Sequence, residues 1–344
     1  MTPRVSIIIP VFNVEQYIGA CLESVFNQTL SDLEIVCVDD ASTDASASLL
    51  DAAAKLDHRV VILKHASNRG LSAARNTGLK AARSPWVLFV DSDDVVSSFL
   101  CERVMAAAER NAADAVFFGY LVFRDGQPSP PEPAASTAVL ADRRALLRRS
   151  AFAWTKFVRT DLMRNNRIEF PEGLCFEDVP VHWRLAIESK RPVFLDEPLV
   201  WYRQRTGSIT YRNDWSRADG ILIYDLIKDY LRGRGSWEEW KSILLVRELA
   251  NFARTHAYYA LANPTLCQRV CAEMRARMTP EHWSLVRNGE GLSRWEIDYL
   301  IACGQPTGAV TELAVLLSTL RHRLRHPLRC FWHRLHIAFG ILSP

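Results

Sequence analysis

Several common signals are missing from this chain of 344 residues. Its eight cysteines form no C-x-x-C pair, and the nearest two, Cys267 and Cys271, stand one helical turn apart with no histidine or cysteine cluster around them. They read as reduced, small core residues of a cytoplasmic protein. No uninterrupted apolar run reaches the ~18 residues that a membrane-spanning helix needs, so no span is expected. The start, "MTPRVSIIIPVFN", carries one arginine and too short an apolar run for a secretory signal, and reads as a first strand. Neither G-x-x-x-x-G-K nor G-x-G-x-x-G follows a strand, which removes the P-loop and dinucleotide-fingerprint readings. Net charge is only +3, so nothing global argues for nucleic acid. No internal repeat is visible. One local absence stands out: no acidic residue follows Glu312, while arginines and histidines crowd the same tail.

What is present is a long chain, 49% hydrophobic, with enough apolar surface for one large core and an appendage. Over the first hundred residues two periods alternate. "RVSIIIPVF", "LEIVCVDD", "RVVILKH" and "WVLFVDSDD" are β-branched or apolar runs. "VEQYIGACLESVFNQ", "ASTDASASLLDAAAKL" and "GLSAARNTGLKAA" have helical spacing, the second opened by Ser and Asp caps. This order predicts a mostly parallel sheet flanked by helices, an α/β fold. A helix near 97–112 and a strand "DAVFFGYLVF" follow, then "RDGQPSPPEPAAST", a Pro- and Ser-rich surface loop or flexible excursion. Residues 141–211 are mixed, and beyond Asp214 the pattern is almost wholly helical.

In such sheets ligands sit beyond the carboxyl ends of the strands. Two acidic clusters fall there: Asp39 and Asp40 in "VCVDDASTD", and Asp91, Asp93 and Asp94 in "FVDSDD". Clustered carboxylates repel unless a cation or a proton intervenes. Hard oxygens at D-x-D spacing suit Mg2+ or Mn2+, which would in turn hold a diphosphate. Each cluster taken alone reads equally as a helix N-cap.

Together, "VSIIIPVFNVEQYIGACLESVFNQTLSDLEIVCVDDASTD", "NRGLSAARNTGLKAARSPWVLFVDSDD" and "FEDVPVHWRL" resemble the successive motifs of family 2 glycosyltransferases, which have the GT-A fold. The resemblance is close over residues 4–100, extends to about 211, and fades after that. It implies a nucleotide-sugar site formed by Pro10, Phe12, Glu15, Asp39, Asp40, Arg75, Asp91, Ser92 and Asp93. Phe12 stands where this motif more often has Tyr, keeping ring packing and losing a hydroxyl. Asp40, with Asp39 beside it, matches the aspartate that reads a uracil N–H, which favours a UDP-sugar donor. Asp93 matches the direct ligand of Mn2+ or Mg2+, with Asp91 facing ribose or metal, and Asp94 reads as a helix cap.

An inverting transfer also needs a base for the acceptor hydroxyl. Asp178 matches the family's base, with Glu177 second; capping of the following helix is the competing reading of this pair. Trp154 and Lys156 in "FAWTKFVRTDLM" match an acceptor-side segment, and Arg203, Arg205 and Ser208 in "WYRQRTGSIT" match one that approaches the diphosphate. The tail "RHRLRHPLRCFWHRLHIAFGILSP" fits contact with an anionic membrane surface through residues 321–339, a partner-binding helix, or a disordered basic end. The expected organisation is a GT-A domain at 1–211, a helical domain at 212–320 and a basic tail at 321–344. The implied activity is hexosyl or N-acetylhexosaminyl transfer from a UDP-sugar to a glycan, lipid-linked and part of cell-surface polysaccharide biosynthesis, at the cytoplasmic face of the inner membrane. A nucleotidyltransferase and a non-catalytic scaffold are the alternatives.

Overall fold

The computed structural model describes residues 3–136, 138–205 and 215–300, apart from 295, 298 and 299. It divides into two compact units, Met1–Arg212 and Asn213–Pro344. Ser208 and the basic segment 321–339 lie outside the described residues.

The first unit is built on β1 (Val5–Val11), β2 (Leu33–Asp39), β3 (Val60–Lys64) and β4 (Trp86–Phe89), joined through α1 (Ile18–Phe26), α2 (Ser46–Leu56) and α3 (Leu71–Ala81). These four strands pair in parallel, in the order β3-β2-β1-β4. Every residue of β1 and β2 is buried, which is why both read as continuous apolar runs and not as alternating ones. The chain leaves β1 toward β2 on one side and reaches β4 on the other. The loops after β1 and β4 therefore diverge and leave a crevice at their carboxyl ends.

Beyond β4 the pairing changes. The remaining elements are β5 (Val95–Val96), α4 (Leu100–Arg110), β6 (Ala115–Arg124), β7 (Val139–Leu140), α5 (Arg143–Leu146), β8 (Lys156–Arg159), α6 (Thr160–Asn165), α7 (Asp178–Glu188) and β9 (Pro192–Gln204). The sheet continues β8-β6-β9-β5 with β7 also on β9, and here only β6 and β9 run parallel.

Two local expectations need correction, and a third is narrowed to its surface-loop form. Helix α2 is capped at Ala45, not by its own Ser or Asp; Asp44 Oδ1 accepts the Ser46 N–H at 2.9 Å from just outside. Asp94 is no helix cap, because β5 follows it and α4 begins only at Leu100. The Pro-rich excursion is pinned: Glu132 accepts the Ser98 N–H at 2.8 Å, and Glu197 accepts the Ser136 N–H at 2.8 Å.

The second unit comprises α8 (Asp219–Gly233), α9 (Trp237–Ala262), α10 (Pro264–Arg277) and α11 (Pro280–Asn288). Its apolar core includes Leu249, Phe252, Ala253, Val270 and Met274. Within it Glu248, fully buried, accepts from Lys228 at 2.6 Å and from His282 Nε2 at 3.1 Å. The Thr279 N–H donates to His282 Nδ1, so the ring proton is on Nε2. Among the described residues no helix is long and apolar enough to cross a membrane.

In the first unit, Gly78 sets the distance of α3 from the sheet. A Cβ there would come within 2.3 Å of Ile8 Cγ2 on β1. Ile8 is buried and β-branched, so it has little room to yield. Gly78→Ala is expected to lower the stability of the first unit by about 1–3 kcal/mol, read as a lower urea midpoint at unchanged slope.

Candidate active site

Most of the predicted residues lie in the loops at the carboxyl ends of the parallel strands. Three residues beside them, Asn13, Ala41 and Phe176, hold positive φ of 50°, 60° and 64° without being glycine. Strain of this kind costs about 1–3 kcal/mol per residue and persists only where surrounding contacts enforce it.

On the nucleotide side, the loops after β1 and β2 are latched together. The N–H groups of Asn13, Val14 and Glu15 donate to Ser42 Oγ, Ser46 Oγ and Asp44 Oδ2 at 3.2, 2.9 and 3.0 Å. In return, Asn13 Oδ1 accepts the Thr43 N–H at 2.8 Å and Glu15 Oε2 accepts the Ala45 N–H at 2.7 Å. Glu15 is thus a loop fastener. Pro10 is buried in β1, whereas the Phe12 ring is 43% exposed at the rim.

The two aspartates after β2 differ in what they have left to offer. Asp40 Oδ1 accepts the Arg69 N–H at 2.8 Å and lies 2.6 Å from His65 Nδ1, while Oδ2 accepts the Gly70 N–H at 2.7 Å. Both its oxygens are spent on holding the entry to α3. Asp39 accepts the Ser42 N–H through Oδ1 alone, at 2.9 Å. Asp39 thus keeps one carboxylate oxygen outside these bonds, whereas Asp40 engages both.

At the tip of β4, Asp91 Oδ1 accepts from Arg75 Nη2 at 2.6 Å, and Asp93 Oδ2 accepts from Arg205 Nε at 2.7 Å. Ser92 is buried between them. Asp94 Oδ1 accepts the Arg203 N–H at 2.7 Å, while its Oδ2 is buried without a partner. Burial, then the Asp91 charge, pushes the Asp93 carboxyl up. Burial, then Asp93 and Asp91, pushes Asp94 well above the ordinary carboxylate range. A divalent cation would relieve this accumulation of negative charge, and Asp91 and Asp93 each keep one oxygen outside their arginine bond. The hard donor set fits Mg2+ or Mn2+ bound by one or two carboxylates. Among the described residues no group of three or more ligating side chains converges, so the rest of such a metal's shell would come from water and phosphate.

Arg75, expected at the donor, is 2% exposed, and besides Asp91 it reaches Glu177 Oε1 through Nη1 at 2.5 Å. Burial disfavours its charge, but Asp91 and Glu177 more than offset that, and its pKa is raised. Glu177 makes no capping bond to α7. Asp178 opens that helix, and its carboxyl is pushed up to about 7 by burial and then by Glu177, against the pull of Lys156 and Arg75.

The acceptor-side expectations change. Lys156 is buried, its amine pulled down to about 7 by that burial, and Nζ donates to the Ala151 and Phe152 carbonyls and Thr155 Oγ1. All three N–H bonds anchor the 151–155 turn. Trp154 is 2% exposed and stacks on Phe152 with centroids 4.7 Å apart, so it is core and offers no face to a sugar. The partly exposed rings of this cluster are Phe152, Tyr120 and Tyr202. Arg203 donates through Nε to the Asp93 carbonyl at 2.8 Å and lies over the Phe123 and Tyr17 rings at 4.6 and 5.4 Å. Arg205 also covers Tyr17, at 4.9 Å. Tyr17, Asn76 and Phe152 were not singled out by sequence; all three lie within the motifs named above, but nothing in their spacing marks them.

Comparison with known proteins identifies the family and the fold. The model of the family "Glycosyl transferase family 2" matches residues 6–163. The uncharacterized glycosyltransferase EpsJ of Bacillus subtilis is 36% identical over 220 residues, covering 61% of this chain and 64% of EpsJ, slightly less than two thirds of its length. The putative glycosyltransferase EpsH of the same organism is 30% identical over 273 residues, covering 76% of this chain and 77% of EpsH. A crystal structure of S. aureus TarS residues 1–349 superposes with a TM-score of 0.63 at 19% identity, covering 95% of this chain and 93% of that one. Its complex with UDP-GlcNAc gives 0.60, covering 94% and 92%. The fold is of GT-A type.

If Asp40 is a loop anchor, Asp40→Ala should cost about 2 kcal/mol or more, because it leaves two backbone N–H groups without their charged acceptor. The check is chemical denaturation without any nucleotide, where a binding-only residue would have no effect.

Proposed function

Because the chain belongs to glycosyl transferase family 2, we propose that it is an inverting glycosyltransferase which moves a hexosyl or N-acetylhexosaminyl group from a UDP-sugar to a glycan acceptor. The observation that carries the reading is Asp178, a carboxylate held near pH 7 at a helix start, in the charge cluster that also contains the D-x-D aspartate Asp91. A base for a hydroxyl works best when its pKa lies near the working pH.

In this reading Asp39 accepts the uracil N–H and the exposed Phe12 ring packs on the base. Asp93 and Asp91 hold Mn2+ or Mg2+, which when bound offsets the charge of the departing diphosphate. Arg205, beside Asp93, faces the same phosphates. Asp178 takes the acceptor proton as the acceptor oxygen bonds to the anomeric carbon, and the bond from that carbon to the diphosphate oxygen breaks, releasing UDP. Attack opposite the leaving group inverts the centre. Phe152, Tyr120 and Tyr202, which pack on the turn that Lys156 anchors, provide ring faces for an acceptor sugar. TarS complexes with UDP-GlcNAc and UDP support the donor class. A lipid-linked acceptor at the cytoplasmic face of the inner membrane, in cell-surface polysaccharide assembly, completes the proposal.

A nucleotidyltransferase would need free amides after β1 to cradle phosphates. Those of Asn13, Val14 and Glu15 are already committed to the 42–46 loop, which disfavours that alternative. A scaffold that never turns over has no need of a carboxyl poised near 7.

UDP with Mn2+ should raise the melting temperature, as any ligand bound only to the folded state does, through a stabilisation of about 2.7 kcal/mol at one hundredfold excess over Kd; no metal-dependent shift with any UDP-sugar would sink the donor reading. Asp178→Asn should abolish transfer while donor binding survives. Transfer by the parent enzyme should fall about tenfold per pH unit below 7, because the base must be ionised to accept the proton.

A further inference from the structure

Helix α3 does more than border the donor pocket. Asn76, 3% exposed, makes a reciprocal pair with the backbone of Phe170: its Nδ2 donates to the Phe170 carbonyl at 2.8 Å, and its Oδ1 accepts the Phe170 N–H at 2.9 Å. The adjacent Arg75 lies over the Phe170 ring at 5.3 Å and bonds Glu177, at the far end of the same segment. Between those ends, residues 171–177 have no regular structure and are partly or fully exposed, and Phe176 carries its left-handed φ of 64° just before Glu177. Without the repeated backbone bonds of a helix or strand, this segment depends for its orientation on contacts such as these.

We propose that Arg75 and Asn76 are positioning residues for the catalytic base: together they staple both ends of the 170–177 segment to α3, and Arg75 ties that segment to the D-x-D aspartate Asp91 through one guanidinium. The inference rests on the reading of Asp178 as base, and it assigns Arg75 away from direct donor contact. Both terminal nitrogens of Arg75 are occupied by carboxylates 16 and 102 residues away in sequence. The two carboxylates are met by two separate nitrogens of one rigid plane, whereas a lysine would have to draw both to a single nitrogen on a flexible stem. Because Gly78 seats α3 directly on β1, the position of the base is referenced to the strand that carries the nucleotide loop. The groups facing Asp178 are Glu177, Lys156, Arg75 and Asp91, so loosening the staple changes both its neighbours and its exposure.

The test uses the full chain carrying 13C-labelled aspartate carboxyls, with Asp178→Asn to assign the Asp178 signal, and calorimetry with UDP and Mn2+. Asn76→Ala should leave the UDP–Mn2+ Kd within about twofold and move the Asp178 midpoint down toward the ordinary carboxylate range. Glu177→Gln should lower that midpoint by about one pH unit, since a neighbouring negative charge is removed, and Arg75→Lys should raise it. UDP release from UDP-GlcNAc, UDP-glucose or UDP-galactose should fall more than tenfold in Asn76→Ala at unchanged donor KM. An Asp178 midpoint unmoved in Asn76→Ala and Arg75→Lys, both folded by circular dichroism, would overturn the proposal, with Glu177→Gln serving as the control that a change of neighbouring charge is detectable. Absence of UDP–Mn2+ binding in the parent protein, with the midpoint moving as expected, would instead remove the donor reading and leave the staple in place.

Discussion

Five carboxylates, Asp91, Asp93, Asp94, Glu177 and Asp178, crowd the carboxyl edge of one sheet, and their mutual repulsion in a poorly solvated place is the constraint that organises the first unit. Two unit charges 4 Å apart interact by about 4 kcal/mol at an effective dielectric of 20, comparable to much of a domain's net stability. The answer is a set of cations drawn from distant parts of the chain: Arg75 from α3, Lys156 from β8, Arg203 and Arg205 from the end of β9. Arg75 is the member that links the two groups of carboxylates, since among the described residues its guanidinium bonds both Asp91 and Glu177. Removing one partner of a buried ion pair typically costs about 3–5 kcal/mol, so the bridge contributes to the stability of the first unit.

Charge balance remains incomplete at the candidate site. Asp94 keeps a buried oxygen without a partner, Asp93 binds protons more readily than an exposed aspartate, and Asp178 sits near neutrality. Site groups tuned this way cluster with backbone strain, and Asn13, Ala41 and Phe176 carry positive φ beside three loops of the candidate site. Latches between the loops after β1 and β2 hold two of these residues; the staple from α3 holds the third.

Much of this could be read from residue pattern alone. Continuous apolar runs alternating with helical periods predict the parallel half of the sheet, because strands buried on both faces need apolar residues at every position. The acidic strand ends predict the site, because only there does the chain leave the sheet toward a ligand. Individual roles were less readable. Asp39 and Asp40 are chemically identical neighbours, and only the folded loops decide that Asp40 spends both oxygens on Arg69, Gly70 and His65. Trp154 and Lys156 read as acceptor contacts, yet the turn that carries them folds back on itself, burying the indole and saturating the amine. Their half-exposed neighbour Phe152 has the same kind of ring and no distinguishing pattern.

Local sequence, then, determined the strand and helix order, the place of the acidic clusters and the kind of chemistry they can support, because periodicity and residue type act over a few neighbours. Tertiary structure decided which carboxylate is free and which is spent, and which arginine bridges and which ring is exposed. Those outcomes depend on partners such as Asp91 and Glu177, 16 and 102 residues from Arg75. A contact of that span is made by the topology of the sheet, and no short stretch of sequence contains it.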